Sequence, residues 1–326
     1  MNAGTKLKWG LIGYGDLADR RSAAALQAAA GSELIGVWGR QAERTRQFAA
    51  KHRIPHAHDS LASLLASGID AAYICTPADS HAEYALAAIA AGKHVLVEKP
   101  MAAALPDCEA MVKAARAKGV TLGVAYYRRA YPKMRKIKEL IAGGVLGTPT
   151  WVNIANHSWY NPEPGDPKHW RVEKARSGGA GALADIGVHR LDLLDYWLGP
   201  SETVFSDLHR LLHGYEVEDG ASIVLKLAGG APVHAYFSWN SKTFGDRFEL
   251  TGSEGKLIAE PLDGPSLVVM RGRDREELLI EAPVNAHLPC VTDFVQAIRE
   301  GREPLCGADA GLRTSRLLAQ ILGRPA

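Results

Sequence analysis

Long apolar runs, closely spaced cysteines and blocks of like charge are all missing from this chain of 326 residues. No apolar stretch approaches the roughly 18 residues that a membrane-spanning helix needs, and the first residues lack the apolar core of a signal peptide. The four cysteines fall at no CxxC spacing and are too sparse for a disulfide framework. We therefore expect a cytoplasmic protein with reduced thiols and no membrane partner.

An excess of one charge is also lacking, since 38 Lys and Arg residues stand against 36 Asp and Glu residues. Without a basic run, the sequence offers no electrostatic footprint for nucleic acid. His56 and His58 form an HxH pattern, but no third ligand lies near them in the sequence, so we expect no metal site. Apolar residues make up 47% of the chain, enough for real cores, and the length predicts about two domains.

The N-terminal part alternates short apolar runs with stretches of helical periodicity, the pattern of a parallel sheet covered by helices. The expected strands are Leu7–Ile12, Leu34–Trp38, Ala71–Cys75, His94–Val97 and Thr121–Ala125. The expected helices are Ala23–Ala30, Glu43–His52, Leu61–Ala66, Ala82–Ala91 and Pro106–Lys118. Five βα repeats predict a doubly wound Rossmann domain over residues 1–126.

Residues 127–326 follow a different rhythm, in which several strands succeed one another without helices between them. The strands expected here are Thr150–Trp159, Val204–Leu211, Ala221–Leu227, Val233–Trp239, Phe248–Thr251, Leu267–Met270 and Glu277–Ile280. The helices are Pro132–Ala142, Gly181–Trp197, Val291–Glu300 and Gly311–Leu322, of which the last two could pack on either domain. This order predicts a second α/β domain built on a large, mostly antiparallel open sheet.

A GxGxxA motif follows the first expected strand and opens a helix. Its residues are Gly13, Tyr14, Gly15, Asp16, Leu17 and Ala18. The first glycine permits a tight turn, the second lets the backbone approach a pyrophosphate, and the small last residue lets helix and strand pack closely. A plain structural turn is the alternative, but the position inside a βαβ unit favours dinucleotide binding.

The residues after the second strand indicate which dinucleotide binds. An NAD-preferring site would carry Asp or Glu there, to accept hydrogen bonds from the ribose hydroxyls. This chain has Arg40 instead, with Arg44 one helical turn later. Because a guanidinium can bind a 2′-phosphate in bidentate fashion, we expect NADP rather than NAD. In the alternative interpretation, Arg40 is simply a solvated loop residue.

The third and fourth expected strands each end in polar residues. Thr76, Pro77 and His81 follow the third, and Glu98 and Lys99 follow the fourth. Ligands of open α/β sheets bind at the carboxyl ends of the strands, so we expect these residues at the cofactor. A proline after Lys99 excludes helical geometry there, and a partly desolvated lysine is a usable acid or base near neutrality.

A glycine-rich stretch from Ser177 leads to Asp185 and His189, which are four residues apart on a predicted helix. At this spacing a carboxylate can orient an imidazole, so the pair is a candidate proton relay. A surface Asp–His pair without catalytic role is the alternative.

Taken together, these motifs resemble the Gfo/Idh/MocA oxidoreductases. The resemblance is carried by the GxGxxA turn, Thr76-Pro77, the run AGKHVLVEKP from Ala91 to Pro100, and the glycine-rich stretch GGAGALADIGVH from Gly178 to His189, with its Asp and His. It covers nearly the whole chain. One departure is that Gly181 and Ala182 extend the usual glycine triplet, and we expect the turn to survive.

The resemblance implies a Rossmann domain and a second domain whose open sheet makes subunit contacts, giving a homodimer or homotetramer. It implies Lys99 as catalytic acid–base, His189 as a partner in proton transfer, and Asp185 as the group that orients it. Trp170 and Arg171 match a pair found near the cofactor in relatives.

Substrate contacts are expected from both domains. The candidate residues are Lys99, Tyr127, His157, Trp159, Asp185 and His189. The expected reaction is reversible hydride transfer between nicotinamide and a secondary alcohol or carbonyl of a sugar, inositol or related polyol. The alternatives are a dinucleotide-binding regulator without catalysis and a glycosidase that uses bound NAD on the same fold.

Overall fold

The computed structural model describes residues 5–323, which form two compact units. The first unit comprises the residues up to Ala130 together with Pro283–Leu312, and the second comprises Tyr131–Ala282 and the residues from Arg313 onward. The division expected from the sequence, at residue 126, assigned the whole later chain to the second domain. The difference arises because Phe294 packs in the first core, with its ring centroid 5.5 Å from that of Trp9.

The strands and helices are numbered in chain order. The strands are β1 Leu7–Ile12, β2 Ser32–Trp38, β3 His56–His58, β4 Ala71–Ile74, β5 His94–Val97, β6 Leu122–Val124, β7 Pro149–Trp159, β8 Ser201–His209, β9 Gly220–Leu227, β10 Pro232–Ser238, β11 Asn240–Gly252, β12 Gly255–Ala259, β13 Ser266–Arg271 and β14 Asp274–Leu279. The α-helices are α1 Ala23–Ala28, α2 Ala42–His52, α3 Leu61–Ala66, α4 His81–Ala90, α5 Leu105–Lys118, α6 Pro132–Ala142, α7 Val188–Leu198, α8 Leu288–Glu300 and α9 Ala308–Ile321.

The first unit is built on a parallel six-stranded sheet in the order β3-β2-β1-β4-β5-β6. Its central strands are buried on both faces, which explains why they appear in the sequence as continuous apolar runs. The expectation of a doubly wound parallel sheet is confirmed. The expected set of five strands lacked β3, because this edge strand consists of His56, Ala57 and His58 and has no apolar run. It pairs with β2.

The second unit contains an eight-stranded sheet in the order β14-β13-β12-β11-β7-β10-β9-β8. The pairs are antiparallel except β7 with β10, which confirms the expected mostly antiparallel sheet. The largest differences from the sequence prediction are that β12 was not expected and that β11 begins at Asn240 rather than at Phe248. Strands β8 and β14 also each begin three residues earlier than predicted. The first half of β11 is polar and partly exposed, so its sequence lacks an apolar run.

Two helices contain a π-helical turn in their first part. One turn covers Ala18–Ser22 and leads into α1, and the other covers Leu183–Gly187 and leads into α7. Such turns are rare and occur often at functional sites. Both lie in segments that the sequence singles out for binding or catalysis.

Across residues 5–323, no helix combines the length and the apolar character that crossing a membrane would require. The four cysteines are buried and carry thiols rather than disulfide bonds. Their sparse spacing along the chain already predicted this state.

Candidate active site

The carboxyl ends of four neighbouring strands carry the candidate residues of the first unit. The glycine turn follows β1, Arg40 follows β2, Thr76 follows β4 and Lys99 follows β5. These strands are adjacent in the order β2-β1-β4-β5, so their ends form one continuous edge. Ligands of open α/β sheets bind at this edge.

The glycine turn has the shape that a pyrophosphate requires. Gly13 has φ +96°, and a Cβ added there would lie 2.9 Å from the carbonyl oxygen of Cys75. A Cβ at Gly15 would meet no atom within 4 Å, so the backbone there borders open space. The amide of Asp19 donates to the carbonyl of Gly15 at 3.0 Å and starts the helix. An open backbone at a helix N-terminus fits a bound phosphate group.

The rest of the motif supports the turn from both sides. Ala18 is fully buried, as close packing of helix and strand demands. Leu17 is half-buried, and the exposed Asp16 lies 3.7 Å from Arg20 in an ion pair. The hydroxyl of Tyr14 accepts a hydrogen bond from the amide of Gln41 at 3.0 Å, which joins the turn to the chain after β2.

Two guanidinium groups lie near the end of β2. Arg40 is exposed, and the guanidinium carbon of Arg44 lies 5.3 Å from the centroid of the Tyr14 ring. Glu43 is the carboxylate in the first turn of α2, and it is engaged by Arg46 at 3.0 Å. Two guanidinium groups, beside a carboxylate that Arg46 already engages, fit the 2′-phosphate of NADP better than the ribose hydroxyls of NAD.

His81 joins the loops that follow β4 and β5. Its Nε2 lies 2.8 Å from the carbonyl oxygen of Thr76, and its Nδ1 lies 2.9 Å from that of Pro100. The ring is buried, and burial lowers the pKa of His81 although the two carbonyl groups favour the charged form. The Ser80 hydroxyl also donates to the Thr76 hydroxyl at 2.9 Å. Hydrogen bonds from Ser80 and His81 therefore hold the loop that contains Thr76 and Pro77.

Glu98 and Lys99 are neighbours with different surroundings. The Glu98 carboxylate is buried and accepts a hydrogen bond from the Tyr73 hydroxyl at 2.6 Å. Lys99 is half-buried, and its peptide bond to Pro100 is cis. Tyr127 is buried in the same unit, with its ring centroid 4.5 Å from that of His287.

In the second unit, Asp185 lies in the π-helical turn before α7. Arg171 donates from Nη1 to its Oδ2 at 3.0 Å, and both side chains are partly exposed. The Arg171 guanidinium also lies 5.8 Å from the ring of Trp170. His189 follows one turn later in α7 and is buried. The structure thus joins Trp170, Arg171 and Asp185 in one local group.

The start of this helix is held by Glu218, which sequence reasoning did not place in the site. Its carboxylate accepts hydrogen bonds from the amides of Gly181 at 2.8 Å and Leu183 at 3.0 Å. Burial raises the pKa of Glu218, and the backbone donors offset only part of the increase. A Cβ at Gly181 would lie 2.3 Å from the Glu218 carbonyl oxygen, so glycine is needed there and the extended glycine turn survives. The available sequence signal was a Glu-Asp pair directly before a strand.

The structure does not bring His157 together with Asp185. The neighbouring Asn156 donates to Asp246, which pairs with Arg190 of α7, so Asn156 faces the helix. Because side chains alternate along a strand, His157 points to the opposite face of the sheet, where its ring centroid lies 5.5 Å from that of Tyr236.

Trp159 ends β7 and is 44% exposed. Its ring centroid lies 4.8 Å from that of His213, and the Lys242 ammonium is 5.0 Å from its ring. These contacts leave part of the indole face open to a ligand.

Comparison with known proteins agrees with these motifs. Residues 7–126 match the model of the oxidoreductase family with an NAD-binding Rossmann fold, and residues 134–258 match the GFO/IDH/MocA C-terminal domain. A 1,5-anhydro-D-fructose reductase of Ensifer adhaerens is 32% identical over 94% of this chain and 92% of its own.

Two solved structures share the fold over nearly their full length. An aldose-aldose oxidoreductase of Caulobacter crescentus, complexed with glycerol, has a TM-score of 0.88 and 26% identity, with 98% of this chain and 97% of that chain covered. A 3-ketoreductase of Actinomadura kijaniata, in complex with TDP-benzene and NADP, has a TM-score of 0.82 and 25% identity, with 98% and 97% covered.

Fold, turn and relatives together define an oxidoreductase that depends on NAD or NADP and acts as a dehydrogenase or reductase. The chain belongs to the Gfo/Idh/MocA oxidoreductase family. The resemblance found in the sequence is therefore confirmed, as are the enzyme class and the dinucleotide cofactor.

Proposed function

We propose that the protein reduces a carbonyl group of a sugar or related polyol reversibly with NADPH, using Lys99 as acid–base. The observation that supports the proposal is that β5, which Lys99 follows, ends on the same sheet edge as β1 and its glycine turn, with β4 between the two strands. When bound, the nicotinamide donates or accepts a hydride at C4.

The protein groups handle the proton. As the carbonyl is reduced, its oxygen gains charge, and the Lys99 ammonium donates a proton to it. In the oxidative direction the neutral amine accepts the hydroxyl proton. His189 shares this transfer, and Asp185, which accepts a hydrogen bond from Arg171, orients the imidazole. Trp159 and Tyr127 contribute apolar faces for the sugar ring.

We assign the preference for NADP to Arg40 and Arg44. The support is the pair of guanidinium groups after β2, together with the engagement of Glu43 by Arg46. Dinucleotide contacts are further assigned to the turn from Gly13 to Ala18 and to Thr76, Pro77 and Trp170.

The family relatives that act on sugars guide the choice of substrates. Purified protein should be tested with NADPH and NADH against 1,5-anhydro-D-fructose, ketoses and aldoses, and with NADP against polyols, by absorbance at about 340 nm. Failure to turn over any of these compounds, in protein that binds NADPH, would contradict the proposal. Cleavage of a glycoside without net absorbance change would instead identify the NAD-dependent glycosidase.

The second sheet is proposed to form the contacts of a homodimer or homotetramer. The support is a set of large apolar side chains that are more than half exposed: Val204, Phe205, Leu211, Leu212 and Phe244. Light scattering of the wild type and of Phe205→Lys would test this assignment. A monomeric wild type would contradict it.

A further inference from the structure

A carboxylate is buried directly beside the proposed catalytic lysine. Glu98 is 4% exposed and lies at the end of an apolar strand. A buried charge is costly unless it is hydrogen-bonded. Three groups of the first unit satisfy it: the Tyr73 hydroxyl at 2.6 Å and His287 Nε2 at 3.2 Å on Oε1, and the Lys99 backbone amide at 3.3 Å on Oε2.

The electrostatics favour an ionised carboxylate in this position. Burial raises the pKa of Glu98, but the hydrogen bond and charge of His287, with the Tyr73 hydroxyl, bring the pKa below its ordinary value. Burial and the Glu98 charge raise the pKa of Tyr73 well above its usual range, so the phenol keeps its proton. Tyr73 therefore remains a donor throughout the neutral range.

His287 is itself held from several sides. It is completely buried, and its backbone amide donates to the Asn285 side chain at 2.9 Å. Asn285 in turn donates to the carbonyl of Arg21 at 3.0 Å. The ring also packs on Tyr127. His287 lies outside both segments matched by the family models, at 7–126 and 134–258.

We propose that Tyr73, Glu98 and His287 form a positioning network that fixes the backbone of Lys99 and thereby the location of its ammonium. The inference rests on the proposed role of Lys99 as acid–base. None of the three side chains takes part in proton transfer to the substrate. Their effect is geometric, because a small misplacement of a catalytic group costs a large factor in rate.

A purely structural role would give a different pattern of effects. If the network only stabilised the fold, its loss would lower the melting temperature without changing the turnover of the folded enzyme. If it positions Lys99, its loss lowers kcat while the KM for NADPH stays near that of the wild type. Any such effect should also vanish when Lys99 is already absent.

The test uses the full chain with NADPH and 1,5-anhydro-D-fructose as probes. His287→Leu should lower kcat roughly 10- to 100-fold, and His287→Gln, which keeps an N–H donor, should recover most of the loss. Tyr73→Phe removes a single hydrogen bond and serves if His287→Leu does not fold. In the Lys99→Met background, His287→Leu should cause no further loss of kcat.

The matched control is His94→Leu. His94 begins β5, whereas Glu98 and Lys99 directly follow the other end of this strand. The His94 ring accepts a hydrogen bond from the amide of Thr121 at 3.0 Å, so its loss also removes a partly buried histidine contact. This variant should lose stability and keep the kcat of the wild type.

A second readout needs neither substrate nor cofactor. Hydrogen exchange at the backbone amide of Lys99, measured by NMR on the ligand-free protein, should become at least several-fold faster in His287→Leu and in Tyr73→Phe, and remain unchanged in His94→Leu. Unchanged exchange, or an unchanged kcat, in folded variants of the network overturns the inference and leaves the proposed function intact. Wild-type turnover in Lys99→Met would overturn both.

Discussion

Arg190 and Asp246 form a buried ion pair, with Nη2 of the arginine 2.7 Å from Oδ1 of the aspartate and both side chains less than 5% exposed. Asp246 also accepts hydrogen bonds from Asn156 at 3.0 Å and from the amide of Leu262 at 3.1 Å. Arg190 follows His189 in α7. The pair therefore anchors the helix of the candidate histidine to the sheet of the second unit.

Asp246→Ala should lower the free energy of unfolding by about 3–5 kcal/mol, because it leaves a guanidinium buried without its partner. Urea denaturation measures the loss. The control is Glu43→Ala, which breaks an ion pair with Arg46 whose side chains are 67% and 57% exposed. Exposed ion pairs contribute less than about 1 kcal/mol. Equal losses of unfolding free energy in Asp246→Ala and Glu43→Ala would therefore contradict a stabilising role of the buried pair.

The two glycines of the turn should respond differently to alanine. Gly13→Ala places a Cβ against the Cys75 carbonyl at a positive φ, so it should destabilise the protein in the absence of cofactor. Gly15→Ala meets no protein atom within 4 Å and should leave the melting temperature unchanged. It should nevertheless weaken NADPH binding, measured by fluorescence titration, because the methyl group occupies the space of the phosphates. Unaltered NADPH binding by Gly15→Ala would place the pyrophosphate elsewhere.

Arg40→Ser should raise the KM for NADPH roughly 10- to 100-fold, since hydrogen bonds to charged groups contribute about 1.5–3 kcal/mol. The KM for NADH should change little. Steady-state kinetics with both cofactors checks the prediction, with Arg46→Ser on the following helix as control. A parallel rise for both cofactors would exclude a 2′-phosphate contact.

Lys99→Met should reduce kcat by on the order of 10² to 10⁴, the usual contribution of general acid–base catalysis. NADPH should still bind, because its phosphates are assigned to the turn from Gly13 to Ala18 and not to Lys99. Lys93→Met is the control: its ammonium donates to the Ile69 carbonyl at 2.8 Å near the start of β5. If both variants turned over like the wild type, the acid–base group would have to be sought elsewhere.

Lys133 predicts a pH-dependent stability of the second unit. Its buried ammonium donates to the carbonyls of Pro261, Gly264 and Ser266, and burial lowers its pKa from 10.5 to about 8. Between these values the unfolded chain binds more protons than the folded one, so folding becomes more favourable as pH rises. Below the pKa of Lys133 in the folded protein, the ammonium is charged in both states, and its burial lowers the free energy of unfolding by the full amount.

The measurement compares urea denaturation of the wild type and Lys133→Met at about pH 7 and about pH 9.5. The stability of the wild type relative to the variant should be greater at the higher pH. Lys136→Met, on the same helix but 42% exposed, should show no such change. A difference between wild type and Lys133→Met that is constant with pH would contradict the lowered pKa.

The parallel strands were the most predictable part of the fold. Leu7–Ile12 is apolar apart from Lys8, and His94–Val97 is apolar after its first residue. The structure reproduces the bounds of both strands. The sequence missed His56–His58 and the polar start of β11, because neither segment carries a periodic apolar pattern. Hydrophobic periodicity in a sequence reflects which side chains are buried, and the side chains of these two segments are mostly exposed or only partly buried.

The site was predictable where chemistry follows a local motif. The glycine turn and Lys99 lie at strand ends as their sequence context predicted. The partnership of Glu98 with His287 joins residues 189 positions apart and leaves no local signal. His157 was grouped with Asp185 and His189 as a substrate contact, but alternation along β7 directs its side chain to the sheet face opposite α7.

The return of Pro283–Leu312 to the first unit constrains how this enzyme could be recombined with its relatives. A chimera that exchanged only residues 7–126, the segment that family comparison delimits, would set a foreign sheet against the native Phe294 and His287. Transplanting a different dinucleotide specificity by whole-domain grafting would therefore require two separate stretches of gene to move together.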